Sequence, residues 1–428
     1  MPSALATGLW SRVSARVAHI RLPRRPLTFL VSFVGTKALA FLGLLWIARS
    51  VSATIYGSIE LSLAVGTIAG SVGLIGIHGA APRLALAMGD EKIDDLLAFA
   101  TFLLSATAAV GAAAIWVLGL PPLWACLAGC SATAAAQASL AAYARTRALP
   151  IMNSLVDASA AISMVLAVAA LQLAREVTIA HVAQVFTFLA ASIAAASFAV
   201  FRWRVRENFR SGYLNALSMG WRMQVFGLTS VIFGAGLRPL LALTLPLSAL
   251  GVYSLCFRVA NLLLLIHQVV STYIFAVLYR SGSRGFDLLF ALLVGFLAVL
   301  SVGLWIAVPL MVHKVFPTYL SDLALIEKVF PLIEAQVVLW IGEALLENRT
   351  NRFGLSTRAA GGGLCAIVAY ALFFRFGGLA GAILLFDAVL AAFALFQVWL
   401  LWRADDRLPM AAGSILAVLL AACARCVL

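Results

Sequence analysis

The sequence predicts an all-α polytopic membrane protein with about 12 transmembrane helices, and composition and run length carry the prediction. The chain of 428 residues is 64% hydrophobic and only 11% charged, with a mean hydropathy of +1.05. Water-soluble domains average about 45–50% apolar and about 25% charged residues. The apolar residues form continuous runs of about 20, the length of a spanning helix, and not the alternating segments of about 10 typical of a barrel. Helices satisfy their backbone polar groups without water, so lipid can be the solvent for most of the chain.

Twelve apolar runs are long enough to span the membrane. The first six lie at 27–48, 59–78, 97–118, 123–143, 151–173 and 178–201. The second six lie at 225–245, 253–279, 286–310, 329–346, 359–374 and 379–402. A last run at 410–424 is either a thirteenth span or a helix at the membrane surface. The connections are short, so no loop has room for a soluble catalytic domain.

The basic residues predict the orientation. With a cytoplasmic N-terminus, the inside segments hold 21 of the 30 Lys and Arg residues and the outside segments hold six. This is the positive-inside bias of plasma-membrane or inner-membrane proteins, and one missed helix would scramble it. The predicted units are a basic cytoplasmic segment 1–26, an N-lobe of six helices 27–201, a basic cytoplasmic connector 202–222, a C-lobe of six helices 223–402, and a C-terminal tail or extra helix 403–428. The basic residues are scattered among apolar runs, so the net charge of +13 does not indicate nucleic-acid binding.

A short internal repeat supports two halves. Residues 51–58 follow the first span and residues 247–254 follow the seventh, and in both a Ser-Ala pair precedes a tyrosine and a long apolar helix. The offset is 196 residues between Ser52 and Ser248 and 197 between Tyr56 and Tyr253, close to half the chain. Two similar loops arising by chance are the alternative. If the repeat is real, both halves start inside and run the same way, which predicts a parallel repeat of two six-helix bundles.

Four stretches carry a resemblance to a known family: 48–57 after the first span, the glycine-rich 73–83, 247–258, and 376–382 opening the twelfth span. With the hydropathy layout of most of the chain, they resemble the polysaccharide and O-antigen flippases of the multidrug/oligosaccharidyl-lipid/polysaccharide exporter superfamily. The resemblance implies two six-helix bundles around a central cavity. It also implies translocation of isoprenoid-diphosphate-linked oligosaccharides to the outer leaflet, by alternating access, for cell-surface polysaccharide synthesis. Polysaccharide polymerase or export proteins would be partners.

The seventh span departs from the family pattern. Related proteins often place an acidic residue next to the basic one there, whereas this chain reads Gly236-Leu237-Arg238-Pro239 without an acid. The departure puts ion coupling of the usual kind in doubt.

Charged residues inside the spans are candidates for substrate binding, because a charge at the bilayer centre costs about 2.5–3.5 kcal/mol. Lys37 lies near the middle of the first span, and Arg238 and Arg258 lie at similar depths in spans seven and eight. With Arg83 at the inner mouth and Arg49 at the outer mouth, they predict a cationic ladder across the membrane. Such a ladder suits a diphosphate, since arginine makes bidentate contacts with phosphate oxygens.

Three alternatives stay open. In the first, each basic residue is a structural tie to an acid, for which Glu60, Asp157, Glu334, Glu343 and Asp387 are available. In the second, the protein is a cation- or proton-coupled multidrug antiporter that uses Asp157, Glu334 and Asp387 for ion coupling. In the third, less favoured because the outside loops are short, it is a membrane-embedded glycosyltransferase or polymerase. The sequence holds no nucleotide-binding loop, metal cluster or nucleophile triad, so we expect no cofactor, no metal and no enzyme activity.

Overall fold

The computed structural model of the protein describes residues 26–78, 81, 90–147, 149–174, 177–204, 237–260, 353–374 and 378–404, with isolated positions between 220 and 235 and between 299 and 316. All the regular structure within these residues is α-helical. The predicted basic segment before residue 26, the span at 329–346 and the run at 410–424 lie outside the described residues.

The first half of the chain contributes seven of the described helices. They are α1 (Pro26–Ser50), α2 (Ala53–Gly73), α3 (Asp90–Val117), α4 (Pro122–Thr146), α5 (Pro150–Val156), α6 (Ser159–Leu173) and α7 (Ile179–Arg204). Helices α3, α4 and α7 pack against one another, α2 packs on α4, and α1 packs on α5 and α6.

The second half contributes four described helices: α8 (Leu237–Ala242), α9 (Leu247–Ala260), α10 (Phe353–Phe373) and α11 (Gly378–Ala404). Helix α10 packs on α11, whereas α9 packs mainly on α2 of the first half. Six of the described helices are long and apolar enough to cross a membrane, namely α1, α2, α3, α4, α7 and α11. The described residues therefore form an all-helical membrane protein, as the sequence predicts.

The predicted fifth span at 151–173 is two helices and not one. Helix α5 ends at Val156 and α6 begins at Ser159. Gln137 of α4 bridges the break: its amide nitrogen donates to the carbonyl oxygen of Asp157 (2.9 Å) and its amide oxygen accepts from the backbone N–H of Ala160 (3.1 Å). These two bonds replace backbone bonds that a continuous helix would make, which is how an interrupted helix is tolerated within a bilayer.

Helix α2 begins and ends earlier than the hydropathy pattern predicts. It starts at Ala53, where the hydroxyl of Ser52 accepts a hydrogen bond from the backbone N–H of Ile55 (3.3 Å) and caps the first turn. It ends at Gly73, because Ile75 and Gly76 adopt φ angles of 47° and 71°. A helix cannot continue through this left-handed backbone.

Small residues bring α2 against α4. A Cβ on Gly66 would lie 2.6 Å from the Cβ of Cys130, and one on Gly70 would lie 2.9 Å from the Cβ of Ala134. The sequence predicts close packing from the G-x-x-x-G spacing of these glycines, and the structure confirms it.

We therefore expect Gly66→Leu to lower the melting temperature, because overpacking of a tight contact costs about 1–3 kcal/mol. Thermal unfolding of the detergent-purified protein measures this. Gly111→Leu on α3 is the matched control, since a Cβ at Gly111 meets no described atom within 4 Å. Equal melting temperatures for the two variants would contradict the packing.

Candidate functional site

The two halves meet where the N-terminal turns of α2 and α9 cross. A Cβ on Gly57 would lie 1.9 Å from the carbonyl oxygen of Leu247, and a Cβ on Gly251 would lie 2.2 Å from the carbonyl oxygen of Ala53. Each glycine thus rests against the first residue of the opposite helix. The contact is reciprocal and only glycine leaves room for it. The sequence predicts loops for the two repeat segments, but the structure shows that they form the first turns of α2 and α9. These turns lie at one interface between the two halves of the chain.

Glu60 lies three residues beyond Gly57 on α2 and faces the second half of the chain. Its side chain is fully buried. Two guanidinium nitrogens of Arg258 on α9 donate to its two carboxylate oxygens: Nε is 3.0 Å from Oε1 and Nη2 is 3.1 Å from Oε2. A bidentate arginine–carboxylate pair is the strongest form of such a contact. It joins helices that are 198 residues apart in the chain.

Arg238 of α8 is the third member of this cluster. Its Nε lies 3.5 Å from Oε2 of Glu60, close enough for an ion pair but too far for a good hydrogen bond. Its guanidinium lies 4.6 Å from the ring centroid of Phe257. The residue is 6% exposed, and its Nε and Nη2 have no hydrogen-bond partner among the described residues. We refer to Glu60, Arg238 and Arg258 as the interlobe cluster.

Charge balance defines what the interlobe cluster can bind. Two guanidinium groups share one carboxylate, so the three side chains carry a net charge of +1. Arg238 has N–H donors to spare, and a buried donor without an acceptor costs about 1–3 kcal/mol or more. An anionic acceptor would relieve that cost, whereas a cation would meet repulsion.

Two tyrosines flank the interlobe cluster. Tyr56 lies one turn before Glu60 on α2, and Tyr253 lies on α9 with its ring 5.9 Å from that of Phe257. Both side chains are among the largest fully buried ones in the protein. The sequence pairs these tyrosines through the internal repeat, and the structure places both at the interface between the halves. Their superposition stays a prediction.

Lys37 belongs to a different pair. Its ammonium forms an ion pair with Asp157 at the break between α5 and α6, and Nζ lies 5.8 Å from the ring centroid of Phe33. The side chain of Lys37 is 13% exposed and that of Asp157 is 46% exposed. Lys37 therefore does not join Arg238 and Arg258 in one cluster in this structure.

The remaining predicted site residues that the structure describes lie apart from these pairs. Arg49 is exposed at the last turn of α1, and Asp387 is buried on α11. Arg83 and Glu334 lie outside the described residues, as does Glu343. Of the four described members of the predicted ladder, the structure thus brings together only Arg238 and Arg258. In this conformation both are tied to an acid, as the first of the three alternatives has it.

Glu60 is the residue that sequence reasoning undervalues. The sequence marks it only as one of five acids available to pair with basic residues, yet it contacts both Arg238 and Arg258. The signal was present, because Glu60 is the only acid in an otherwise apolar run of some 20 residues. The seventh span lacks the acid that related proteins often place next to the basic residue. In this structure the acid beside Arg238 is Glu60, which lies on α2 and not on the same helix. No group of three or more His, Cys, Asp or Glu residues in the described part of the chain could hold a metal ion.

Comparisons with known proteins inform on the fold of the chain. No protein-family model matches the sequence, and no curated protein matches it. One similar solved structure is described as the inward-facing conformation of a multidrug resistance MATE family transporter of the MOP superfamily. It shares 13% identity at a TM-score of 0.54, over 88% of this chain and 95% of that one. A second solved chain, described as "protein A", also gives a TM-score of 0.54 at 13% identity, over 90% and 97% of the two chains. This likeness shows that the chain shares the overall fold of these two structures.

Proposed function

We propose that this protein is a flippase that moves an isoprenoid-diphosphate-linked oligosaccharide from the cytoplasmic to the outer leaflet by alternating access. The observation that carries the proposal is the interlobe cluster, with its net positive charge and the unpartnered donors of Arg238. Buried phosphate oxygens are the acceptors that a pair of arginines suits best. The apolar tail of such a substrate stays in lipid while the head enters between the lobes.

The same cluster supports a coupling between substrate binding and lobe movement. Glu60 lies in the first half, and both arginines lie in the second. A diphosphate that takes over the guanidinium groups releases Glu60 and with it the charged contact between α2 and α9. Binding energy is then used to separate the lobes on one face of the membrane, which is what alternating access requires. No nucleotide-binding motif is present in the sequence, so ATP is not the direct energy source.

A cation- or proton-coupled multidrug antiporter is the second candidate. The similar solved structure is a multidrug resistance transporter, and Asp157 offers a half-exposed carboxylate at a helix break. A membrane-embedded carboxylate of this kind suits protons and cationic substrates. The pairing of Asp157 with Lys37 weighs against this candidate, because the carboxylate already has a counter-charge.

Depletion of the protein in its native cell tests the proposal. We expect an isoprenoid-diphosphate oligosaccharide to accumulate in the cytoplasmic leaflet, measured by lipid extraction and leaflet assignment, because its export stops while its synthesis continues. Complementation with the wild-type chain should clear the lipid, and an unrelated membrane protein at equal expression should not. Unchanged lipid-linked sugars together with a new sensitivity to cationic drugs would instead favour the antiporter.

A further inference from the structure

The break between α5 and α6 is stabilised by specific hydrogen bonds and is not a frayed helix end. Two hydrogen bonds from one glutamine, Gln137 of α4, hold the backbone at Asp157 and Ala160. The backbone N–H of Asp157 still bonds to the carbonyl of Asn153 (2.9 Å), and that of Ile162 bonds to the carbonyl of Ala158 (2.9 Å), so both flanking helices are intact up to the break. Interrupted helices with satisfied ends recur in transporters, where they hold substrates or coupling ions near the middle of the membrane.

The electrostatics of this break favour a cation. The end of α5 meets the start of α6 at this break, so the negative end of one helix dipole lies beside the positive end of the other. Asp157, the residue that follows α5, adds a full negative charge, and its side chain is 46% exposed. A carboxylate turned to hydrocarbon would be strongly unfavourable, so this exposed face requires water beside it. Oxygen ligands at a water-reachable helix break are the ligands that a monovalent metal cation would use.

The ammonium of Lys37 lies at this position. It reaches Asp157 from near the middle of α1, 12 residues into a helix of 25, and it forms an ion pair with Oδ2. Its side chain is mostly buried, with the ring of Phe33 on one side. The amine therefore brings a single positive charge to the carboxylate without any ion from solution. A tethered charge of this kind cannot leave the lobe during a transport cycle.

We infer that Lys37 acts as a built-in cation, which fills a monovalent-cation site at the α5/α6 break and makes the first lobe independent of sodium. The inference concerns the energy source, not the substrate, so it stands whether the protein is a flippase or an antiporter. It follows that removal of the amine uncovers a cation site at the Asp157 carboxylate. The variant Lys37→Ala should acquire a response to sodium that the wild-type protein lacks.

Thermal unfolding of the full-length purified protein tests this at constant ionic strength in sodium, lithium, potassium or N-methyl-D-glucamine chloride. Wild type should give one melting temperature in all four salts. Lys37→Ala should melt about 3 °C or more higher in sodium or lithium than in N-methyl-D-glucamine, with saturation, since an ion that binds only the folded state raises its stability. The double variant Lys37→Ala/Asp157→Asn removes the carboxylate as well and should lose the response.

Two results would overturn the inference. One is a saturable sodium response of the wild-type protein that Asp157→Asn abolishes, because the site would then be open to ions with the amine present. The other is a Lys37→Ala variant that responds equally to metal cations and N-methyl-D-glucamine. If Lys37→Ala aggregates, Lys37→Gln takes its place, since it removes the charge but keeps a polar contact to Asp157. Lys37→Arg, which keeps the tethered charge, should behave as wild type.

Discussion

Replacement of Glu60 by glutamine is expected to lower the melting temperature more than replacement of either arginine of the interlobe cluster. Glu60 is fully buried and is the only described counter-charge for Arg258 and Arg238. Its loss raises the net charge of the cluster from +1 to +2. Removal of one partner from a buried ion pair costs about 3–5 kcal/mol, because the remaining charge stays buried without compensation.

A double-mutant cycle makes this prediction specific. In the wild-type background Arg258→Gln removes a bidentate partner and should destabilise the protein. In the Glu60→Gln background the same substitution removes an unpaired buried charge and should stabilise it. Such a reversal of sign is the signature of direct coupling between contacting residues. Thermal unfolding in detergent or nanodiscs gives all four melting temperatures. An Arg258→Gln effect of the same sign and size in both backgrounds would show that the pair does not form.

Arg238→Gln is expected to reduce transport about 10- to 100-fold while leaving the melting temperature near that of wild type. The Glu60–Arg258 pair stays complete without Arg238, and the net charge of the cluster falls to zero. Hydrogen bonds to charged groups contribute about 1.5–3 kcal/mol each, which corresponds to this loss if Arg238 binds an anionic head group. Transport is scored at equal expression as complementation of the depleted cell and as clearance of lipid-linked sugar.

Asp387→Asn is the matched control for Arg238→Gln. Asp387 is also buried, at 5% exposure, and lies on α11 of the same half of the chain. If the ligand is anionic, loss of this carboxylate should leave transport within about threefold of wild type, the size of an indirect electrostatic change. Lys37 and Asp157 are unsuited to this comparison because each is the other's counter-charge. Normal transport by Arg238→Gln together with loss in Asp387→Asn would favour the antiporter.

The helical membrane architecture could be predicted from the sequence because lipid imposes it. An apolar run of about 20 residues has one stable form in a bilayer, so its position follows from composition alone. The ends of the helices could be predicted less well from the sequence. Helix α3 starts at Asp90, seven residues before the predicted span. Its Asp94 is buried there because it pairs with Arg147, which follows the end of α4 (2.7 Å). A hydropathy window cannot see a charge that is neutralised by a distant partner.

The break at Asp157 could not be predicted from the sequence, for a related reason. The segment from 150 to 160 has no glycine, and its single proline is at the start, so it lacks the usual signs of an interrupted helix. What stabilises the break is Gln137, some 20 residues earlier on another helix. Pairings of this kind are tertiary, and no local pattern reports them.

For the candidate site, too, single residues could be predicted from the sequence, whereas their contacts in the folded chain could not. Lys37, Arg238 and Arg258 could be singled out individually, because a charge in an apolar run is conspicuous. Their grouping could not be derived, since every described ion pair of these residues joins positions at least 120 residues apart. The internal sequence repeat came closest, because its segments 51–58 and 247–254 contain the helix turns that meet through Gly57 and Gly251.

The central claim is that the protein moves a diphosphate-linked lipid between leaflets, and reconstitution measures this most directly. Purified protein in vesicles would be loaded with a fluorescent isoprenoid-diphosphate sugar, and a membrane-impermeant quencher would report the fraction in the outer leaflet over time. We expect wild type to exchange the probe between leaflets without ATP or sodium. Arg238→Gln should exchange it about 10- to 100-fold more slowly, the factor expected from the loss of a charged hydrogen bond. Leaflet exchange no faster than in protein-free vesicles, with proton-driven uptake of a cationic dye by the same preparation, would contradict it.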